Sequence, residues 1–188
     1  MKSVRYFFGA VVLFASPSAM PAAETYTLDL AHSSMTFMIQ HLGISFVHGR
    51  FNEFSGTFTI DKETPAKSSF AMTIKADSID TNVKKRDDHL RSPEFFDVKK
   101  YPEMVFKSTK VDAIDGGFKV TGDFTMHGVT KSISFDLKGG KVVQTKGIQR
   151  TGFSTAFILR RSDFGISALP DGIANDVNIF IGFEGTKK

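Results

Sequence analysis

The 188-residue chain is 41% hydrophobic and 23% charged, with 20 Phe but only 3 Tyr, and it contains neither Trp nor Cys. That composition fits a single domain with a sizeable core and excludes disorder, a disulfide framework, thiolate nucleophiles and Cys-based metal centres. So many rings without a polar handle predict a dry interior, and a formal charge of only +4 leaves no electrostatic footprint for nucleic acid.

The first 23 residues read as a secretory leader. Lys2 and Arg5 precede an apolar run from Tyr6 to Ala15, followed by Ser16, Pro17, Ser18 and small residues up to Ala22 and Ala23. A basic start, a short apolar centre and a small-residue end make a cleaved signal peptide, and the run is too short for a permanent span. Cleavage after Ala23 predicts an exported domain over 24–188, in which 22 basic residues face 20 acidic ones.

The chain then alternates. Met35, Phe37, Ile39 and His41 alternate with Thr36, Met38 and Gln40, Phe54, Phe58 and Ile60 with Ser55, Thr57 and Thr59, and Phe70, Met72, Ile74 and Ala76 with Ser69, Ala71, Thr73 and Lys75. Period two of this kind marks half-buried strands. Phe51 is out of phase with Phe54, which predicts a bulge or bend between them.

One segment breaks the period. Asn82 is placed to cap a short helix over Val83–Arg91, with Val83, Asp87 and Leu90 on one face. Ser92-Pro93-Glu94 reads as a second N-cap with proline at the first helical position, carrying Phe95 and Phe96. A helical excursion between strands suits a lid over one end of a barrel.

Alternation resumes at Met104 and Phe106, at Phe118, Val120, Phe124 and Met126, and at Ile133, Phe135 and Leu137. It recurs at Phe153, Phe157 and Leu159 and finally from Val177 to Phe183. Asp115-Gly116-Gly117 and Gly139-Gly140 read as hairpin turns between neighbouring strands. The fold class is therefore all-β. Met38, Ala71, Ala156, Ile158 and Phe180 fall on the second face of their strands, so the alternation is less clean than one wet face would give. Periodicity alone fits an antiparallel barrel of about eight strands and a packed sandwich equally well.

The residues also carry a family resemblance. Asp29-Leu30-Ala31-His32-Ser33 is followed by Phe37, His41, Gly49-Arg50-Phe51 and Gly56. Next come Ser78-Ile79-Asp80-Thr81 and the block Arg86-Asp87-Asp88-His89-Leu90-Arg91-Ser92-Pro93-Glu94-Phe95-Phe96-Asp97. Tyr101 to Phe106, Gly122 to Lys131 and Arg161-Ser162-Asp163-Phe164-Gly165-Ile166 complete the order. Each block is weak alone; together, correctly spaced from about Tyr26 to the C-terminus, they resemble the YceI-like family of lipocalin-like, polyisoprenoid-binding proteins. The resemblance implies a lipocalin-like antiparallel barrel with a long apolar tunnel holding an isoprenoid, such as a polyprenyl chain or an isoprenoid quinone, or another long-chain lipid. It further implies export to the periplasm and frequent homodimers; for a carrier of this kind, membrane contact is expected only transiently, for lipid loading. No catalytic residue is established across that family, and none is assigned here.

An apolar tunnel is chemically sufficient for such a ligand. Burial contributes about 0.8 kcal/mol per methylene, so a chain of ~15 carbons binds firmly with few polar contacts. The lining candidates are Phe37, Ile39, Phe54, Phe58, Phe70, Met72, Met104, Phe106, Phe124, Phe135 and Phe157, although a phenylalanine on a strand serves equally as core. Arg86, Asp88 and His89 form the candidate head-group cluster, through pairing with a phosphate or hydrogen bonding to a quinone or carboxylate oxygen. The competing reading is that they pin the helical segment to the barrel.

Other chemistries find no support in the spacing. His32, His41, His48, His89 and His127 form no HExxH pattern, so no metal site is expected. His32-Ser33 and His127-Gly128 read as turns closed by side-chain hydrogen bonds to backbone. There is no GxSxG elbow and no phosphate-cradling glycine loop. A lipid carrier without cofactor leads; an enzyme acting on such a lipid, with Asp88 and His89 as acid–base partners, is the alternative. An interaction module that plugs its lid into a membrane partner is the third reading.

Overall fold

The computed structural model describes residues 23–187, so the expected leader lies, Ala23 apart, outside the described residues. Among these, the alternating segments form β1 (Glu24–His41), β2 (Ser45–Phe51), β3 (Phe54–Ile60), β4 (Ser69–Lys75) and β5 (Ile79–Asp80). After one helix, α1 (Lys84–Leu90), come β6 (Glu103–Ile114), β7 (Gly117–Met126), β8 (Val129–Gly139), β9 (Val143–Thr145), β10 (Ile148–Arg160) and β11 (Ile173–Lys187).

Eight strands close into a ring in the order β1, β3, β4, β6, β7, β8, β10, β11 and back to β1, every pairing antiparallel. The barrel is thus realised and the sandwich is not, which removes the exposed sheet edges a sandwich would leave. β1 is 18 residues long and pairs along one edge with β3 (Thr27↔Thr57) and, further up, with β2 (Thr36↔Arg50). β2 and β3 therefore lie end to end with Asn52 and Glu53 between them, which is the bend that the phase change at Phe51 and Phe54 predicts. One joint is thin: β8 and β10 share only the pairs Phe153↔Gly139 and Ser154↔Lys138.

One end of the barrel is sealed by rings. Tyr26, Phe58, Phe70, Phe118, Phe153 and Phe183 interlock, with contacting centroids between 5.2 and 6.5 Å apart in stacked, tilted and edge-on pairs. Each pair adds roughly 0.5–1.5 kcal/mol beyond its buried area. Gly185 admits the Phe58 ring, since a Cβ there would lie 2.5 Å from it. Beneath the rings, the Tyr26 hydroxyl donates to Glu24 at 2.7 Å, and Gln149 donates to both at 2.7 Å. Lys187 reaches the other Glu24 oxygen at 2.8 Å. Hydrogen bonds from Lys187, Tyr26 and Gln149 hold the Glu24 carboxyl down at about 2. Burial, with Glu24 as acceptor, pushes the Tyr26 phenol up to about 12.

The helical excursion lies at the opposite end, and three local expectations need correction. Asn82 does not cap the helix: it sits at φ +62° in a turn set by Asp80, whose carboxylate accepts its N–H at 2.8 Å. Val83 takes the cap position without any side-chain bond, and α1 runs from Lys84 to Leu90. No second helix follows Ser92-Pro93-Glu94. Ser92 accepts the N–H groups of Phe95 and Asp97 on its carbonyl and that of Glu94 on its hydroxyl, and Asp97 at φ +43° stops propagation after one turn. Finally, Gly139-Gly140 is where the chain leaves β8, not a two-residue hairpin. The tight turn is Lys146-Gly147, both at positive φ, between β9 and β10. Sequence inspection passed over it because Lys is an unusual first residue for a turn of that kind.

Candidate functional site

Above the aromatic floor the barrel encloses a cavity of about 660 Å³, within the range of about 300–1,000 Å³ usual for ligand sites. Register places its walls. Met72, Phe106 and Phe124 are consecutive cross-strand partners on β4, β6 and β7, so one inward row spans three strands. Met104, Phe135, Phe157 and Ile39 add to it, Phe58 and Phe70 face it from the floor, and Phe37 closes towards the mouth. Gly49 stands opposite Phe37, and a Cβ there would fall 2.3 Å from the ring; glycine lets the ring lie across β2.

Ten of the eleven lining candidates therefore border the cavity. Phe54 does not: it is buried in the packed core opposite Ile74 and stops short of the wall.

The helical segment forms one side of the mouth, and its polar residues separate into two groups. Arg86 and His89 border the cavity. Arg86 also donates to the Thr81 hydroxyl at 2.7 Å and the Thr81 carbonyl at 2.8 Å, while buried Asp87 accepts from the Thr81 N–H and hydroxyl. His89 bonds Glu94 at 2.6 Å and packs edge-on against Phe95. Asp88 points away from the cavity to Lys84 at 2.6 Å and Arg91 at 3.4 Å, and the Lys84 ammonium, first among its partners, lowers its carboxyl. The three expected head-group residues are thus not one cluster, and Asp88 and His89 are not bonded to each other. Helical spacing explains the split, because adjacent residues on a helix point about a quarter-turn apart.

The residue that sequence inspection missed is Arg161. It is buried, borders the cavity, and bonds only backbone carbonyls: Ala174 at 2.9 Å, Ile166 at 3.2 Å, Ala168 at 2.7 Å and Ile173 at 2.9 Å. These bonds fold residues 161–174 over the second side of the mouth. Burial lowers its pKa from the usual arginine value. Its position at the head of the Arg161–Ile166 block was the available signal. On the wall deeper down, the Thr155 hydroxyl is buried without a hydrogen-bond partner.

Of the histidines, His41 and His89 border the cavity. His127 occupies the β7–β8 turn and donates to the Phe164 carbonyl at 3.1 Å, so a backbone bond is made, but to a distant segment. In the His32-Ser33 pair the expected backbone bond comes from Ser33, whose hydroxyl donates to the Asp29 carbonyl at 2.7 Å, while His32 bonds the Asp29 carboxylate at 3.0 Å. Asp29, His32 and Glu184 form the one three-membered grouping of ligand-type side chains among the described residues. Arg150 bonds Asp29 within it and lies 3.9 Å from Glu184, so it is an ion-pair network.

Comparison with known proteins agrees with this architecture. Residues 26–184 match the YceI-like domain model. A UPF0312 protein of Vibrio parahaemolyticus is 40% identical over 192 residues, covering 100% of both chains. The crystal structure of a Campylobacter jejuni YceI protein is 34% identical, with TM-score 0.70 over 79% of this chain and 90% of that one. A structure described as a polyisoprenoid binding domain from Saccharophagus degradans shares the fold, at 18% identity and TM-score 0.66, over 87% of this chain and 98% of that one. A family match from β1 to β11, on a closed eight-stranded barrel, settles where the protein belongs: the chain is a member of the YceI-like family.

Proposed function

We propose that the protein is a periplasmic carrier that holds an isoprenoid or other long-chain lipid in the barrel without altering it. The observation that carries this reading is the cavity itself: about 660 Å³, closed below by rings and walled by Phe, Met, Leu, Ile and Val. A chain placed there loses its water contact at about 25 cal/mol per Å² of apolar surface. The charged groups at the wall, Lys85, Arg86 and Arg161, are cationic and gather at the mouth, which suits a tail-down, head-up amphiphile. The fold is shared with the domain described as polyisoprenoid binding, and the basic, then apolar, then small-residue N-terminus supports export.

The separation of Asp88 from His89 favours holding over chemistry, since acid–base catalysis needs groups converging on one reacting atom. The test is native mass spectrometry of the protein purified from its exported form, followed by extraction of the bound molecule. A long-chain lipid whose mass is unchanged after hours of incubation is the expected result. A protein that stays empty, or a lipid converted to a new mass, would overturn the reading.

A further inference from the structure

The mouth of the barrel is ringed by large apolar side chains that face solvent. Ile44 is 82% exposed, Leu42 57% and Leu169 49%, with Val83 also exposed. They come from three separate stretches of chain. Leu42 and Ile44 form the tip of the β1–β2 hairpin, Val83 opens α1, and Leu169 belongs to the loop that Arg161 folds over the mouth. Val83 and Leu169 also border the cavity, so the exposed apolar surface runs without a break into the lumen.

The backbone at this rim is unusual as well. Leu42 has φ +52° and Leu169 φ +51°, in the left-handed region that Gly, Asn and Asp occupy readily and bulky residues avoid. Leu42 is followed by Gly43 at φ +69°, a two-residue turn in which Asn-Gly is the favoured sequence. The two strained turns are joined, because the Leu42 N–H donates to the Gly172 carbonyl at 2.9 Å. Both turns thus hold a leucine out into solvent where a polar residue would fit the backbone better.

Charge at the opening points to the occupant. The charged side chains on the wall there are Lys85, Arg86 and Arg161, and no carboxylate borders the cavity. Of the acids near the opening, Asp88 is engaged by Lys84 and Arg91 and Glu94 by His89, while Asp171, exposed in the Leu169 loop, makes no ion pair among the described residues. Among the described residues Lys85 makes no ion pair. Apolar side chains at a tip, backed by a cavity wall whose charged side chains are all cationic, match a phospholipid surface, with the leucines below the headgroups and Lys85 at phosphate level.

We infer that the Leu42, Ile44, Val83 and Leu169 rim docks the barrel mouth-down on a lipid bilayer, placing the lumen in contact with the acyl region. This rests on the carrier reading for its purpose but not for its test. The rim would let a lipid pass between bilayer and barrel without its chain crossing water.

The experiment is vesicle co-flotation of the purified protein with Leu42→Asn/Ile44→Ser, neither of which borders the cavity. Asn suits the left-handed position, so the variant should keep its fold and melt no lower at that turn. Wild type should bind phosphatidylcholine vesicles, and bind more tightly when phosphatidylglycerol is added. The double variant should bind at least about tenfold more weakly, at an unchanged level of lipid found by native mass spectrometry. Equal flotation of the two proteins would overturn docking. So would a wild-type dimer that the variant turns into monomer with no change in flotation, which would make the rim a surface between copies. If neither protein holds lipid but the flotation difference persists, docking stands and the carrier reading alone fails.

Discussion

Phe135 of β8 and Phe157 of β10 stack nearly parallel, their centroids 4.8 Å apart and their planes 11° apart, just beyond the point where those two strands stop pairing through the backbone. Side-chain stacking thus takes over from hydrogen bonding at the thinnest joint of the ring. Phe157→Ala should cost about 2–4 kcal/mol in urea unfolding, near the lower part of the range for buried Phe because the ring is only half-buried. Amide exchange should quicken in β8 and β10 above Ser154 and stay slow in β6 and β7. Uniform acceleration around the barrel would contradict this role.

Arg161 should matter more than any surface charge. Removing its side chain leaves the Ala168, Ile173 and Ala174 carbonyls without their donor and loosens the loop over the mouth. Arg161→Ala should destabilise by about 3–5 kcal/mol, and Arg161→Lys should recover only part, because one ammonium cannot serve carbonyls on so many sides. Urea midpoints of the two variants test this. Parity between Lys and Arg would mean that charge, not the fork of donors, holds the loop.

The closed end adds to the pH dependence of the fold at both extremes. Glu24 titrates at about 2 in the native barrel against an ordinary 4.5. Its stabilising contribution is complete above about pH 5 and disappears as pH falls towards 2, because the unfolded chain takes up the proton first. Tyr26 titrates at about 12 against an ordinary 10. Its contribution holds below pH 10 and is lost as pH rises towards 12, where the unfolded chain releases the proton first. Urea midpoints measured across both windows should fall at each edge. Glu24→Gln should flatten the acid limb, and Tyr26→Phe the alkaline one.

Strand identity was open to inspection because period two runs through long stretches of the barrel strands, broken in β1 between Asp29 and Ser34 and in β6 between Ser108 and Lys110, and ten wall residues follow from phase alone. What phase does not encode is depth. Phe54 and Phe58 share a face, yet packing above and below decides that only Phe58 reaches the cavity. Turn details failed where a local side-chain bond chose the backbone, as the Asp80 carboxylate did for Asn82. Arg161 entered the sequence reading only as the start of the Arg161–Ile166 block, and its place at the mouth was missed because its partners are main-chain carbonyls, which carry no side-chain signature.

His89 separates holding from chemistry. If it acts only at the mouth, with Glu94 and Phe95 as its neighbours, His89→Ala should weaken lipid retention modestly and leave the lipid's mass unchanged. An acid–base role would instead lose about 10²–10⁴-fold in turnover while lipid stayed bound. Mass spectra of the lipid before and after incubation, for both proteins, distinguish the two.

The central claim is that the apolar chain lies inside the barrel, and Phe124→Asp tests it most directly. Phe124 is buried and sits on the inward row with Met72 and Phe106. A carboxylate there faces apolar side chains with no partner. Affinity for a fluorescently labelled isoprenoid should be measured for wild type and variant, with circular dichroism on both to verify the fold. Internal binding predicts that the folded variant loses the ligand. A folded Phe124→Asp protein that takes up the label at full affinity would contradict it.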